Sequence, residues 1–145
     1  PENEGVTMIQ IQGLDHVVLR TTRLAAMIDF YQRLGCHIER EETQLGLYQL
    51  RAGASLIDIV PVEAPLGQEG GPAPGQDGHN MDHFCLTLEN FDGDAVLTYL
   101  DGQGIVHRGI QRRYGAQGYG PSIYIQDPEG NRVELKGPPE TAAQT

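Results

Sequence analysis

Residues Asn131–Gly137 read NRVELKG, and they follow Asp127–Gly130, DPEG. Side chains on a strand alternate between its two faces. Arg132, Glu134 and Lys136 therefore share one face, while Val133 and Leu135 share the other. DPEG spells a tight turn, with proline presetting φ and glycine accepting unusual φ values. Ser122–Gln126 (SIYIQ) alternates in the same way, so the segment is expected to be a hairpin. Taken alone, such a hairpin carries a solvated glutamate and nothing more. Three other stretches of the chain change that reading.

Leu14–Arg20 (LDHVVLR) alternates as a strand, and Thr21 or Thr22 can cap a helix. Leu24, Met27, Ile28, Tyr31 and Leu34 then recur at helical spacing, with Gly35 suited to the C-terminal end. Cys36–Glu42, Leu45–Arg51 and Ser55–Val60 complete a β-α-β-β-β unit. Glu63–Asn80 is rich in glycine, proline and acidic residues and reads as a linker. The pattern then restarts. Met81–Leu88 (MDHFCLTL) mirrors LDHVVL, and a helix is predicted over Gly93–Asp101 with Asp92 as its cap. Ile105–Arg108 is expected to be a short strand and Arg112–Gly120 (RRYGAQGYG) a mobile loop, before the two closing strands. Repetition at this scale implies two copies of one supersecondary unit around a shared core. The expectation is a single α+β domain over residues 9–137, with module 1 at 9–60, a linker at 61–80 and module 2 at 81–137. Residues 1–8 and 138–145 are expected to be flexible termini.

The 145 residues carry 20 acidic and 10 basic side chains, a net charge of −10, which argues against nucleic-acid or anionic-membrane partners. No long apolar run suggests a membrane span or a secretory signal. Two cysteines, Cys36 and Cys85, leave little scope for a disulfide framework, so a reducing cytoplasm is the expected setting.

The repeat superimposes four polar residues. His16 in LDH matches His83 in MDH, and Asp58 in LIDIV matches Glu134 in RVELK; the histidine-to-carboxylate spacing is 42 residues in the first unit and 51 in the second. All four sit among apolar strand residues, where unpaired polar groups are costly to bury. If each sheet curls, their faces would line a common cup. Imidazole and carboxylate together favour Fe(II), Mn, Co, Ni or Zn. The lack of thiolate at these positions argues against a structural zinc cage. His37, His79 and His107 have no such acidic counterparts and are expected at the surface.

With LDHVVL, DFYQRLG, MDHFCLTL and IYIQDPEGNRVELKG in view, most of Ile9–Gly137 resembles the vicinal oxygen chelate superfamily. That family includes glyoxalase I, fosfomycin-resistance transferases, extradiol dioxygenases and bleomycin-binding proteins. The resemblance implies two βαβββ modules forming a curled mixed sheet around a metal-binding cup. It implies His16, His83 and Glu134 as ligands of one divalent ion (Ni, Co, Zn, Mn or Fe(II)). Asp58 stands where glyoxalase I has a fourth ligand, normally Glu. Glu134 and Asp58 are the implied proton carriers, the metal stabilising an enediolate-like intermediate. Tyr124, ten before Glu134, matches the catalytic tyrosine of the dioxygenases. Arg20 matches an arginine that glyoxalase I turns on glutathione's carboxylate. Arg112 and Arg113, in a cluster with Arg108, are further candidates for an anionic group, with Tyr114–Gly120 as a lid. The resemblance also implies a homodimer, its modules pairing within one chain or across two, and a small substrate such as a thiol adduct. A glyoxalase-type enzyme is the expected function. The alternatives are an Fe(II) extradiol dioxygenase and a metal-free protein that binds small molecules or sequesters an antibiotic.

Overall fold

Both modules fold as their alternation requires. The computed structural model describes Met8 and residues 10–140. Module 1 contains β1 (His16–Thr21), α1 (Leu24–Arg33), β2 (His37–Glu42), β3 (Leu47–Ala52) and β4 (Ser55–Pro61). A short helix α2 (Pro65–Gln68) lies in the linker. Module 2 contains β5 (His83–Thr87), α3 (Gly93–Gly102), β6 (Gln111–Gly115), β7 (Gly118–Gln126) and β8 (Arg132–Lys136). Two four-stranded mixed sheets result, ordered β1-β4-β3-β2 and β5-β8-β7-β6. In each, the first strand runs parallel to the last and the other pairings are antiparallel. A parallel pair needs a crossover, and the helix with its following strands supplies it. β1 and β5, the strands that carry His16 and His83, are both outer edges.

One core joins the modules. Leu19, Leu50, Ile57 and Ile59 from the first sheet cluster with Ile123, Ile125, Val133 and Leu135 from the second. Met27, Phe30 and Tyr31 of α1 and Leu100 of α3 belong to the same cluster. Each fully buried aliphatic or aromatic side chain contributes roughly 1.5–3 kcal/mol. The helices are also tied directly, since Tyr99 Oη donates to Arg33 O at 2.7 Å and Arg33 Nη1 to Gln103 O at 3.0 Å. Because the apolar faces of both sheets meet in this core, the opposite, polar faces are turned away from each other.

The DPEG turn binds the modules together. Gly130 takes φ 93°. Asp127 Oδ1 accepts from the amides of Glu129 and Asn131, at 3.0 and 2.9 Å. Its Oδ2 accepts from Asn131 Nδ2 at 2.8 Å and from the buried Tyr31 hydroxyl at 2.6 Å. Glu129 Oε1 reaches across to module 1, accepting from Thr21 Oγ1 (2.7 Å), Thr22 N (2.6 Å) and Thr22 Oγ1 (3.1 Å). Asn80, at the end of the linker, donates to Asn131 Oδ1 at 3.1 Å and to Arg20 O at 3.0 Å.

Several local expectations need correction. The supposed loop Arg112–Gly120 is mostly the β6–β7 hairpin, in which Tyr114 pairs with Tyr119; alternating side chains, not glycine content, decide it. Ile105–Arg108 forms no strand. α1 begins after Arg23 with no side-chain cap; Thr21 Oγ1 instead accepts from Arg23 N at 2.8 Å. Asp92 does cap α3, accepting from Ala95 N at 3.2 Å. Of the supposedly flexible ends, residues 1–7 and 141–145 lie outside the described residues, as does residue 9 of the expected domain. Glu140, however, is held by a bidentate ion pair to Arg112 at 2.5 and 2.9 Å. Among the described residues no helix is long and apolar enough to cross a membrane.

Candidate metal centre

In module 1 the parallel register sets Val18 against Asp58 and places His16 two residues back on the same face. His16 Nδ1 meets Asp15 Oδ2 at 2.8 Å, and Nε2 faces Asp58 Oδ2 at 3.9 Å. Asp58 is only 4 % exposed, and Gln49, its partner on β3, donates to both of its oxygens at 3.3 Å. The Asp15 contact, reinforced by the charge of Asp58, raises the His16 pKa above the ordinary imidazole value against the opposing effect of burial.

Module 2 repeats the arrangement with firmer contacts. His83 Nδ1 meets Asp82 Oδ2 at 2.6 Å, and Nε2 faces Glu134 Oε1 at 3.4 Å. The hydrogen bond from His83 holds the Asp82 carboxyl below its usual range. Buried Glu134 accepts from Ser122 Oγ at 2.6 Å on its other oxygen. The buried Lys136 Nζ stands 3.4 Å from that hydroxyl and donates to Arg113 O at 2.6 Å. Cys85 lies directly across from Glu134; burial, then the Glu134 charge, pushes its thiol up to about 11. Tyr124, the β7 partner of Glu134, sets its ring edge-on to His83 at 5.9 Å. Burial and Glu134 raise its phenol above the ordinary value, so it keeps its proton at neutral pH.

The aspartate preceding each histidine assigns the ring proton to Nδ1 and leaves the Nε2 lone pair facing a buried carboxylate oxygen. Two electron-rich atoms so placed need a proton or a cation between them. Carboxylate–histidine pairs of this kind orient imidazole toward a metal and raise its basicity. The donor set, imidazole with carboxylate, therefore fits a divalent ion, and His16, Asp58, His83 and Glu134 are the residues that would hold it.

The four do not converge within one chain. Among the described residues no group of three or more His, Cys, Asp or Glu is close enough to hold a metal. The expected common cup is instead two half-sites, His16–Asp58 and His83–Glu134, on faces turned away from each other. Arg20 is engaged elsewhere: its guanidinium donates to the carbonyls of Gly67 (3.1 Å), Pro72 (3.0 Å) and Gly71 (2.6 Å), clamping the linker. Arg112 is held by Glu140 and stacks over the Tyr119 ring at 3.9 Å. Arg113 stays beside the site, 5.8 Å from the Tyr124 ring centroid. Asp15, Asp82, Gln49, Ser122 and Lys136 escaped sequence reasoning. The doubled Asp-His dipeptide was the available signal for the first two.

The chain belongs to the Glyoxalase/Bleomycin resistance protein/Dioxygenase superfamily, which it matches over residues 13–135. It is 29% identical over 136 residues to the glyoxalase domain-containing protein RDO1 of Mycosarcoma maydis, covering 88% of this chain and 69% of that one. It is 33% identical over 123 residues to biphenyl-2,3-diol 1,2-dioxygenase 2 of Rhodococcus globerulus, covering 83% of this chain and 60% of that enzyme. The solved virulence protein STM3117 of Salmonella typhimurium superimposes with a TM-score of 0.75 at 25% identity, covering 89% of this chain and 98% of that one.

Proposed function

We propose that the chain is a metal-dependent enzyme of glyoxalase type whose site is completed between two copies of the chain, and that its substrate is a small molecule offering two neighbouring oxygens. The observation that carries this reading is the doubled motif, in which each histidine is oriented by the preceding aspartate and faces a buried carboxylate. Its two halves sit on β1 and β5, both of which are sheet edges, and on β1 Asn80 takes up the outward backbone groups of Arg20 only, at the far end of the strand from His16. Joining the β1 edge of one copy to the β5 edge of another would set the two halves together without disturbing the shared core. Val18, beside His16 on that face, is 47 % exposed, so such a junction would cover it.

A divalent ion held there would supply a Lewis acid for the substrate's paired oxygens. The chain's own residues do the rest. Glu134 and Asp58 are carboxylates with oxygens directed at the site, positioned to take and return a proton. Ser122 and Gln49 fix their rotamers. Tyr124, which keeps its proton at neutral pH, serves as a hydrogen-bond donor.

The test is the metal content of protein purified without chelators, with His83→Ala beside the wild type. About one divalent ion per chain, lost in the variant, is expected. A wild type that binds none and takes up none on addition would overturn the reading and favour a metal-free binding protein. A second reading, an Fe(II) extradiol dioxygenase, is favoured by the placement of Tyr124 against His83 and Glu134. Iron in the site and oxygen consumption with catechols would select it over nickel, cobalt or zinc and a lyase.

A further inference from the structure

A cavity of about 470 Å³ opens beside the module 2 half-site, and its walls carry Arg108, Arg113 and Arg132 with Gln111, Gln126 and Tyr124. Among the described residues no Asp or Glu lines it. That is unexpected in a chain with 20 acidic side chains against 10 basic ones. Four of the six other arginines are matched, Arg33 with Asp29, Arg40 with Glu42, Arg51 with Glu39 and Arg112 with Glu140, and a fifth, Arg20, is bound to linker carbonyls. His107, also in the wall, is paired with Asp101 at 2.8 Å. Arg108, Arg113 and Arg132 form no ion pair among the described residues. Arg113 donates only to neutral acceptors, Arg112 O at 2.9 Å and Gln111 Oε1. Arg132 also feels the Asp82 carboxylate, which lies outside the cavity lining; an oxyanion among the three guanidinium groups would relieve the repulsion that remains. Guanidinium is also the side chain best matched to a planar or tetrahedral oxyanion. The volume suits a small organic molecule.

We propose that this cavity seats the anionic head group of the substrate, a carboxylate or phosphoryl group held by Arg108, Arg113 and Arg132. The rest of the molecule then passes Tyr124 toward His83 and Glu134, and that half of the proposal rests on the metal-centre reading. Tyr124 forms the wall between the two places, being at once part of the cavity lining and the cross-strand partner of Glu134. The substrate class is thus a small organic acid or phosphoryl ester with two neighbouring oxygens at its other end. Arg20 and Arg112, the other arginines that sequence suggests for an anion, are occupied.

The experiment is calorimetric titration of chelator-treated protein with benzoate, phenylphosphonate and benzyl alcohol. At least one of the two anions should bind saturably, at least about tenfold more tightly than the alcohol. The tighter anion identifies the head group as carboxylate or phosphoryl. Arg113→Gln and Arg132→Gln should each weaken that anion about tenfold, and Arg112→Gln should leave it unchanged. All three arginines are exposed, so folding of the variants is not at stake. Equal binding of the neutral alcohol, no binding of either anion, or indifference to Arg113→Gln and Arg132→Gln would each overturn the proposal. Because no metal is present, this result is separable from the metal-content measurement. Anion binding without metal uptake sinks only the metal centre, and uptake without anion binding sinks only this cavity.

Discussion

Removing the Glu129 carboxylate tests how the two modules are joined. One oxygen, Oε1, accepts three hydrogen bonds from the β1–α1 corner, at 2.7, 2.6 and 3.1 Å. The first donor, Thr21, is fully buried. A hydrogen bond to a charged group contributes about 1.5–3 kcal/mol. Three bonds to one atom are not additive, so Glu129→Ala is expected to cost about 2–3 kcal/mol. The Thr21 hydroxyl keeps its role as acceptor for Arg23 N, which limits the damage to the junction. For a domain near this size that corresponds to a fall in Tm of roughly 4–12 °C. Glu129→Gln, which keeps an acceptor but loses the charge, should fall between. Urea and thermal unfolding followed by circular dichroism measure both. A change under about 0.5 kcal/mol for Glu129→Ala, with unchanged urea dependence, would refute the idea that this turn latches module 2 to module 1.

Other consequences follow from single contacts. Asp82→Ala should weaken divalent-metal binding about tenfold, measured by competition with a chromogenic chelator; Asp82 is 79 % exposed, which places the loss at the modest end for an orienting carboxylate. Cys85 is exposed yet its thiol is pushed up to about 11. Its alkylation by iodoacetamide should be slow at pH 7.5 and accelerate about tenfold per pH unit toward that value, and Glu134→Gln should speed it at fixed pH. Gly67→Ala should destabilise by at least about 2 kcal/mol in urea unfolding, since a Cβ there would come within 1.9 Å of Pro61 O. Gly53→Ala, with open space but φ 63°, isolates the backbone-strain contribution for comparison.

The sequence made the repeat legible because alternation and helical spacing are local signals, and nine of the ten strand and helix segments they mark are present. The hairpin at β6–β7 was hidden by its glycines, whose freedom resembles that of a loop. Arg20 illustrates a different limit. Its position suggested substrate contact, but partners 47 to 52 residues away take its guanidinium. Asp127 and Glu129 read only as part of a tight turn, and their contacts to Tyr31, Thr21 and Thr22 depend on how the modules pack. The two histidines and two carboxylates were legible because the repeat superimposes them. How the two pairs relate was not, because that depends on which faces the shared core covers.

In the proposed dimer the metal centre takes one half-site from each of two chains. Purified His16→Ala and His83→Ala proteins, mixed under conditions that exchange subunits and then loaded with metal, test it directly. Random pairing makes half of the dimers mixed, and each mixed dimer holds one intact site of two, so about one quarter of the wild-type metal content should return. Each variant alone should bind little. No recovery after verified exchange would refute the shared site and place the complete site within a single chain or nowhere.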